Sequence, residues 1–266
     1  MITFAKAHAY GNDFVYVRSS DVEGAVLAAL ARELCDRHTG VGADGLIVYE
    51  SHFAAASMQL FNADGSRAEV SGNGVRALGA LLLKDDDRPD AELAVRTNAG
   101  VRRLARVGRD GIRQTFRAFM GQPAEVRTLP PVEVAGETLR PTVLTMGNPH
   151  CVLVGPLPDR ARFERLGAAL ERHDLFPNST NVEFVEVSAP DHLRVLIWER
   201  GVGPTSSSGT GSCAALVAAA SIGSAAREAE VSAPGGTQHV EWQTDGVYLT
   251  GWAEVLFVGE WFRSLP

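Results

Sequence analysis

The chain is poor in cysteine. Its 266 residues include only three, Cys35, Cys151 and Cys213. An odd number at wide spacing argues against a disulfide framework, and none lies next to a second metal-type ligand in the sequence. We therefore expect reduced thiols that pack as small apolar residues in a cytoplasmic protein, and no bound metal.

The chain also lacks an excess of positive charge and a long apolar run. Its 25 Lys and Arg residues are outnumbered by 32 Asp and Glu, which gives a net charge of −7. No basic cluster with interleaved aromatic residues occurs, so we expect no nucleic-acid partner. The longest small-apolar run, 213–226, is too short to span a bilayer, and the first residues lack a signal-peptide pattern, so we expect no membrane partner.

What the sequence does contain is an internal duplication. Residues 71–74 read Ser-Gly-Asn-Gly, and residues 208–211, 137 positions later, read Ser-Gly-Thr-Gly. The Gly-Asn pairs at 11–12 and 147–148 are 136 positions apart, and segments 44–48 and 181–185 are 137 apart. One recurring offset predicts two similar halves that face a shared site and could act on one carbon from opposite sides.

Hydrophobic periodicity predicts helices in both halves. Residues 21–35 carry an apolar stripe with Asp21 as N-cap, and a second helix is expected near 161–172. Each Ser-Gly-x-Gly motif opens a further helix. The helix after Ser208 is apolar on nearly every side, which is typical of a buried helix. The pattern therefore predicts two central helices, each wrapped by its own sheet.

The start of such a helix is suited to binding an anion. Its first backbone N–H groups have no intrahelical partner and carry a partial positive charge. Glycine lets the backbone approach a ligand closely. A carboxylate held there stabilises negative charge on its α-carbon when that carbon loses a proton.

Eight ordered blocks carry a resemblance to a known family. They are 11–14 (Gly-Asn-Asp-Phe), 36–45 (Asp-Arg-His-Thr-Gly-Val-Gly-Ala-Asp-Gly), 61–66 (Phe-Asn-Ala-Asp-Gly-Ser), 72–76 (Gly-Asn-Gly-Val-Arg), 147–150 (Gly-Asn-Pro-His), 181–184 (Asn-Val-Glu-Phe), 198–201 (Trp-Glu-Arg-Gly) and 208–211 (Ser-Gly-Thr-Gly). On these blocks the whole chain resembles the diaminopimelate epimerase family of cofactor-independent amino-acid epimerases and racemases.

The resemblance implies a fold and an activity. The fold is α/β (α+β), with two pseudo-symmetric domains, each a mixed sheet wrapped around a central helix, and a ligand cleft between them. The domains would be 1–117 plus 252–266, and 118–251. The implied activity is interconversion of LL- and meso-diaminopimelate, a step of lysine biosynthesis, by a cytoplasmic homodimer that needs no cofactor.

The resemblance also implies a set of substrate-binding residues. Side chains that would hold the distal ammonium and carboxylate are Asn12, Asn62, Asn148, Asn181, Glu199 and Arg200. Backbone groups that would hold the reacting carboxylate belong to Gly72, Asn73, Gly209 and Thr210. Asparagine offers both a donor and an acceptor, which suits a zwitterion, and the guanidinium of Arg200 suits a planar carboxylate.

The chain departs from the family at the two proton-transferring positions. In the family one cysteine deprotonates the α-carbon and another reprotonates its opposite face, and these positions fall on Ser71 and Ser208. A serine hydroxyl needs a neighbouring base to act at all. By resemblance His150 would lie beside Ser71 and Glu199 beside Ser208, so these four residues are the candidate catalytic set.

Three functional hypotheses remain open from the sequence. The first is an epimerase-type protein whose two serines are natural or were introduced in place of cysteines. The second is a related isomerase that uses His150 or Glu199 as a single general base on another small acid. The third is a non-catalytic amino-acid-binding protein, in which Ser71 and Ser208 would act only as helix N-caps.

Overall fold

The computed structural model describes residues 1–52, 55–68, 71–98 and 100–262. The chain forms two compact units. The first consists of Met1–Ala118 and Gly251–Pro266, and the second of Phe119–Thr250. The chain passes from one unit to the other within two strands, β8 (Arg113–Gly121) and β19 (Gly246–Trp261).

The first unit packs two helices against a sheet. The helices are α1 (Leu27–Cys35) and α2 (Gly72–Leu82), and a 3-10 turn covers Ser19–Val22. Besides the ends of β8 and β19, its strands are β1 (Ile2–Ala9), β2 (Asn12–Arg18), β3 (Gly45–His52), β4 (Ala55–Asn62), β5 (Arg67–Ala68), β6 (Glu92–Thr97) and β7 (Gly100–Asp110).

The second unit likewise contains two α-helices packed against strands. Its helices are α3 (Arg160–Glu171) and α4 (Gly209–Ser221). Its strands are β9 (Ala124–Thr128), β10 (Val132–Val134), β11 (Glu137–Leu139), β12 (Thr142–Thr145), β13 (Pro149–Val154), β14 (Asn181–Ala189), β15 (His192–Glu199), β16 (Gly203–Thr205), β17 (Glu228–Ala233) and β18 (Gly236–Gln243).

The two units repeat one strand order. In the first, β1, β2, β3, β4, β6 and β7 are successive neighbours whose pairing alternates between antiparallel and parallel. In the second, β12, β13, β14, β15, β17 and β18 follow the same scheme. The first parallel connection of each unit runs through α1 or α3, and α2 and α4 occupy equivalent places in the order. This confirms the predicted pseudo-symmetric α/β architecture.

The strand registers correct one detail of the duplication. Phe14 is paired with Gly45 in the β2–β3 ladder, and His150 is paired with Asn181 in the β13–β14 ladder. The offset is therefore 136 on both strands, whereas the sequence comparison gave 137 for the second. Consequently Ile47, and not Leu46, is the counterpart of Glu183.

The central helices are as buried as their sequences predict. In α4 every residue from Gly209 to Ala219 is buried, and the helix packs against strands β12 to β15, β17 and β18. In α2 the buried stretch runs from Asn73 to Leu81 and packs against β1, β2 and β7. Within the described residues, no helix combines the length and apolar character needed to cross a membrane.

The expected start of the first helix was wrong. Asp21 lies in the 3-10 turn, and α1 begins only at Leu27, after Val26, whose side chain does not cap it. Gly24 has a φ of 80°, in the left-handed region that favours glycine, and it separates the two elements. The apolar stripe is accordingly shorter than predicted: Leu30 and Leu34 are buried, whereas Val26 is exposed.

Replacing Gly167 tests how tightly α3 packs on the sheet of the second unit. A Cβ at this position would lie 2.8 Å from ring carbons of Trp198. The Trp198 Nε1–H donates to Glu171, which restrains the ring. Because overpacking outweighs the helix propensity gained, we expect Gly167→Ala to lower the free energy of unfolding by about 1–2 kcal/mol in urea titrations.

Gly155→Ala is the matched control for this substitution, since a Cβ there would meet no atom within 4 Å. Its free energy of unfolding should stay within about 0.5 kcal/mol of the unsubstituted protein. A Gly167→Ala variant as stable as the Gly155→Ala variant would contradict the described packing.

Candidate active site

Both central helices begin with the same capping interaction. The Ser71 Oγ accepts a hydrogen bond from the Gly74 N–H at 3.0 Å, and the Ser208 Oγ accepts one from the Gly211 N–H at 3.2 Å. Both serines have extended backbone, as N-cap residues do. Each hydroxyl therefore satisfies one amide of its helix and keeps its own O–H as a donor.

The second glycine of each motif is required by close packing. A Cβ at Gly74 would lie 2.8 Å from the Ile47 Cδ1. A Cβ at Gly211 would lie 3.1 Å from the Glu183 Oε1 and 3.3 Å from the Ile197 Cδ1. The third residue of each helix thus lies directly against its sheet, so the helix start is fixed from behind as well as by its cap.

In the first unit two candidate asparagines are in contact. The Asn73 Nδ2 donates to the Asn12 Oδ1 at 3.3 Å, and the Asn12 Nδ2 donates to Asp44 at 2.8 Å. Asn62 ends β4 opposite Gly45, next to Asp44 in sequence, and its amide donates to Ser66 at 3.0 Å. The structure therefore brings Asn12 and Asn73 together and places Asn62 two strands away from Asn12, on β4 opposite Gly45 of β3.

A charged network supports Asn12 through Asp44. Arg37 donates to both Asp13 and Asp44 at 2.8 Å, and Lys6 donates to Asp13 and to the Gly42 carbonyl. Burial raises the pKa of Asp13, but hydrogen bonds from Arg37 and Lys6 outweigh it and lower this pKa to about 2. The network fixes the loop that carries Asp44, and Asp44 in turn orients Asn12.

In the second unit the contacts extend from α4 into the sheet. The Asn148 Nδ2 donates to the Thr210 Oγ1 at 3.3 Å, and the Asn148 Oδ1 lies 3.0 Å from the His150 Nε2. The His150 Nδ1 lies 2.7 Å from the Glu183 Oε1. Both members of this His–Glu pair have fully buried side chains. Burial raises the pKa of Glu183, and His150 opposes the shift.

The turn that carries Glu199 and Arg200 is anchored on two sides. The Asn181 Oδ1 accepts from the Arg200 N–H at 3.0 Å, while the Asn181 Nδ2 donates to the Pro149 carbonyl. Glu171, at the end of α3, accepts from the Trp198 Nε1–H and from the Gly201 N–H. Asn181 therefore joins the Pro149–His150 strand to the Glu199–Arg200 turn, and both Glu199 and Arg200 are half-buried.

The cysteines lie inside the units, as the sequence predicts. All three are buried and none forms a disulfide. Burial raises the pKa of Cys35 to about 12 and raises that of Cys151 as well. Cys213 is within α4, five residues beyond Ser208. None of these thiols is placed at the start of α2 or α4.

Two residues that contact the candidate site, Glu183 and Glu171, are absent from the set predicted from the sequence. Glu183 had a visible signal, because it is an acidic residue inside an otherwise apolar strand segment, Asn-Val-Glu-Phe-Val. Glu171 had none, since it lies at the end of a different helix and reaches the Trp198–Gly201 turn only through the fold.

The family model for diaminopimelate epimerase matches residues 4–123 and 142–256 of the chain. The chain is 42% identical to the diaminopimelate epimerase of Desulforudis audaxviator, over 98% of this chain and 99% of the relative. It is 40% identical to that of Desulfitobacterium hafniense, over 96% of each.

The chain belongs to the diaminopimelate epimerase family. This is a family of isomerases that work without pyridoxal phosphate.

Solved structures with low sequence identity share the family's fold. A predicted epimerase from Pseudomonas aeruginosa is similar with a TM-score of 0.76 and 16% identity, over 99% of this chain and 100% of that one. A phenazine biosynthesis protein from Bacillus anthracis gives a TM-score of 0.72 at 14% identity, over 98% and 99%. These similarities concern the fold alone.

Replacing Arg37 tests the charged network that contains Asp13 and Asp44. The low pKa of Asp13 stabilises the folded protein above about pH 4, the unfolded-state value, and this contribution is lost as pH falls toward 2. Arg37 is more than half exposed. Screening therefore limits the expected loss in Arg37→Ala to about 1 kcal/mol at pH 7, shrinking below pH 4 in denaturant titrations.

Arg160→Ala is the control, because Arg160 forms an exposed ion pair with Glu164 on a helix surface. Its effect should stay below about 0.5 kcal/mol. If the destabilisation by Arg37→Ala were the same at pH 7 and pH 2.5, Asp13 would not depend on Arg37 as described.

Ser208 tests the capping interaction. Ser208→Ala leaves the Gly211 N–H without its acceptor at a buried helix start, so we expect a loss of about 1 kcal/mol in the free energy of unfolding. Ser20→Ala, which removes an exposed hydroxyl bonded to Asp21, is the control and should be neutral. Equal stability of the two variants would mean that the cap contributes nothing.

Proposed function

We propose that the chain interconverts LL- and meso-diaminopimelate by moving the proton on one α-carbon. The observation that carries this proposal is the pair of serine-capped helix starts, one per unit, in a member of the diaminopimelate epimerase family. In this proposal the two units are the two epimerase halves, and each contributes one acid–base position, Ser71 or Ser208. The protein acts as a cytoplasmic homodimer and uses no cofactor.

The helix starts supply the electrostatic part of the reaction. Backbone groups at Gly72 and Asn73, and at Gly209 and Thr210, receive the carboxylate next to the reacting carbon. The partial positive charge of a helix N-terminus stabilises the negative charge that spreads into this carboxylate when the α-proton leaves. Because α2 and α4 are fixed by their caps and by the sheets behind Gly74 and Gly211, these donors are held in position before the substrate binds.

The side chains around each helix start recognise the rest of the substrate. Asn12, Asn62, Asn148 and Asn181 offer amide donors and acceptors, which match a distal group that carries both an ammonium and a carboxylate. Arg200 supplies the charge for the distal carboxylate and Glu199 for the ammonium. Asp44 and Glu171 support this recognition by holding Asn12 and the Trp198–Gly201 turn.

Serine makes the proton transfer slow. Each hydroxyl accepts from a helix N–H, which favours negative charge on its oxygen, yet a serine alkoxide remains far harder to form than a thiolate. His150 and Glu199 are the acid–base groups that assist it, since both side-chain types can work near neutral pH. We therefore expect measurable but slow exchange of the α-proton.

A second function is favoured by the buried His150–Glu183 pair. One unit contains an ionisable pair that the other lacks, which suits a single-base isomerisation of another small acid. A third possibility is an amino-acid-binding protein without catalysis, for which the capping role of both serines would be sufficient.

The deciding experiment follows the α-proton of LL-diaminopimelate by NMR in D₂O. We expect slow signal loss with the protein as it is, and an increase of at least roughly 10²-fold, with appearance of the meso isomer, in Ser71→Cys/Ser208→Cys. Ser20→Cys adds an exposed thiol away from both helix starts and should change nothing.

Each other outcome separates the alternatives. Exchange of a different acid that is lost in His150→Ala would support the single-base isomerase. Binding without exchange that the two cysteines convert into epimerisation would mean a true epimerase pocket with inactive serines. Failure of the double-cysteine variant to bind or epimerise diaminopimelate would show that the assigned substrate is wrong.

A further inference from the structure

The two units differ in polarity at one equivalent pair of positions. In the second unit these positions are His150 and Glu183, in contact at 2.7 Å and fully buried. In the first unit they are Phe14 and Ile47, both buried and apolar. Three relations establish the equivalence: the strand pairings of Phe14 and His150, the two-residue step along β3 and β14, and the contacts behind Gly74 and Gly211.

The fold therefore does not require an ionisable pair at this place. The first unit builds the same strand order and the same capped helix with apolar side chains there. Burying a carboxylate and an imidazole costs free energy that a hydrophobic pair of similar volume avoids. A buried ionisable pair that the architecture can omit is a candidate for a chemical role.

The hydrogen bonds determine where the protons lie. The Asn148 Oδ1 can only accept, so the His150 Nε2 at 3.0 Å carries a hydrogen. The Asn148 Nδ2 is engaged with Thr210 in the first turn of α4. On the other side of the ring, Nδ1 faces the Glu183 carboxyl, which holds a second proton on the line between Nδ1 and Oε1. The pair as a whole is then uncharged, as burial favours.

The start of α4 favours the carboxylate form of Glu183. The Glu183 Oε1 would lie 3.1 Å from a Cβ on Gly211, which places the carboxyl against the positive end of the helix. The charged group that faces Glu183 is His150, and the nearby titratable group on the adjacent strand is the buried thiol of Cys151, whose pKa Glu183 raises. With the shared proton on the ring, the helix start and the imidazolium would both stabilise the carboxylate and oppose the effect of burial.

We propose that Glu183 is a positioning residue that keeps His150 as an imidazolium, with Nδ1–H bound to the carboxylate and Nε2–H directed along Asn148 toward the start of α4. An imidazolium can release its Nε2 proton and take it back, whereas a neutral ring with hydrogen on Nε2 is a far weaker acid. Glu183 thus decides whether His150 can serve as a proton donor. The consequence for rate rests on the proposed function, but the protonation state does not.

The direct test is ¹⁵N–¹H NMR of the His150 ring in the full chain without substrate. We expect both ring nitrogens to be protonated at pH 7. In Glu183→Gln, whose amide can donate to Nδ1, only Nε2 should remain protonated, because the facing carboxylate is gone. A wild-type ring protonated on one nitrogen only, or a ring unchanged by Glu183→Gln, would overturn the proposal.

Three further variants keep the test decisive. Glu186→Gln makes the same change on the same strand, at a half-buried residue paired with Arg194, and should leave the His150 signals unchanged. Glu183→Asp retains the charge and should preserve the doubly protonated ring even where Glu183→Gln folds poorly. The double variant His150→Phe/Glu183→Ile copies the first unit, and we expect it to fold, because that packing already exists in this chain.

The kinetic readout is separate from the protonation readout. In the Ser71→Cys/Ser208→Cys background, Glu183→Gln should lower kcat by roughly 10²-fold with little change in KM, and should move the alkaline limb of the pH profile to lower pH. Glu183→Asp should restore part of both. If no variant exchanges the α-proton of diaminopimelate while the NMR result holds, the proposed function fails and the role of Glu183 stands. Wild-type kinetics in Glu183→Gln would refute the role of Glu183 alone.

Discussion

The burial of two helix starts is the constraint on which the rest of the structure depends. A helix enclosed by a sheet cannot leave its first backbone N–H groups to water. Ser71 and Ser208 each satisfy one of them with a hydroxyl. The sheets behind Gly74 and Gly211 then fix the direction of each helix. In the proposed function, these same two helix starts hold the substrate carboxylate.

The duplication preserves the architecture while the chemistry of the two units differs. Both units have the same strand order and the same serine cap at the start of the central helix. Around the first cap, Arg37 and Asp44 are exposed, Lys6 and Asp13 are largely buried, and the buried Arg76 of α2 donates to Asn73. Behind the second cap an ionisable pair lies in the core. The two caps are therefore alike in geometry and different in the ionisable groups around them.

Much of the fold was predictable because its signals are local. The Ser-Gly-x-Gly motifs, the repeated offset and the fully apolar run after Ser208 predict the capped, buried helices that the structure contains. The start of α1 was not predictable from periodicity, since the left-handed turn at Gly24 interrupts a continuous apolar pattern. Only the strand register showed that Ile47, and not Leu46, is the counterpart of Glu183.

In the candidate site, too, only the residues with local sequence signals could be predicted. The sequence motifs identified Asn12, Asn73, Asn148 and Thr210. The contacts among these residues follow from their places at strand ends and helix starts. The supporting residues Glu171 and Glu183 act through contacts 30 or more positions away in sequence, with Gly201 and His150, and no spacing rule relates them. Their roles depend on which strands are neighbours, and this is a property of the folded chain.

The most direct test of this account is backbone amide NMR of the full chain during titration with meso-diaminopimelate. If the helix starts hold the substrate, the largest shifts will occur at residues 72–74 and 209–211, and lysine, which lacks the second carboxylate, will produce weaker binding. Shifts confined to other regions, or equal binding of lysine, would contradict the assignment of these two helix starts as the substrate site.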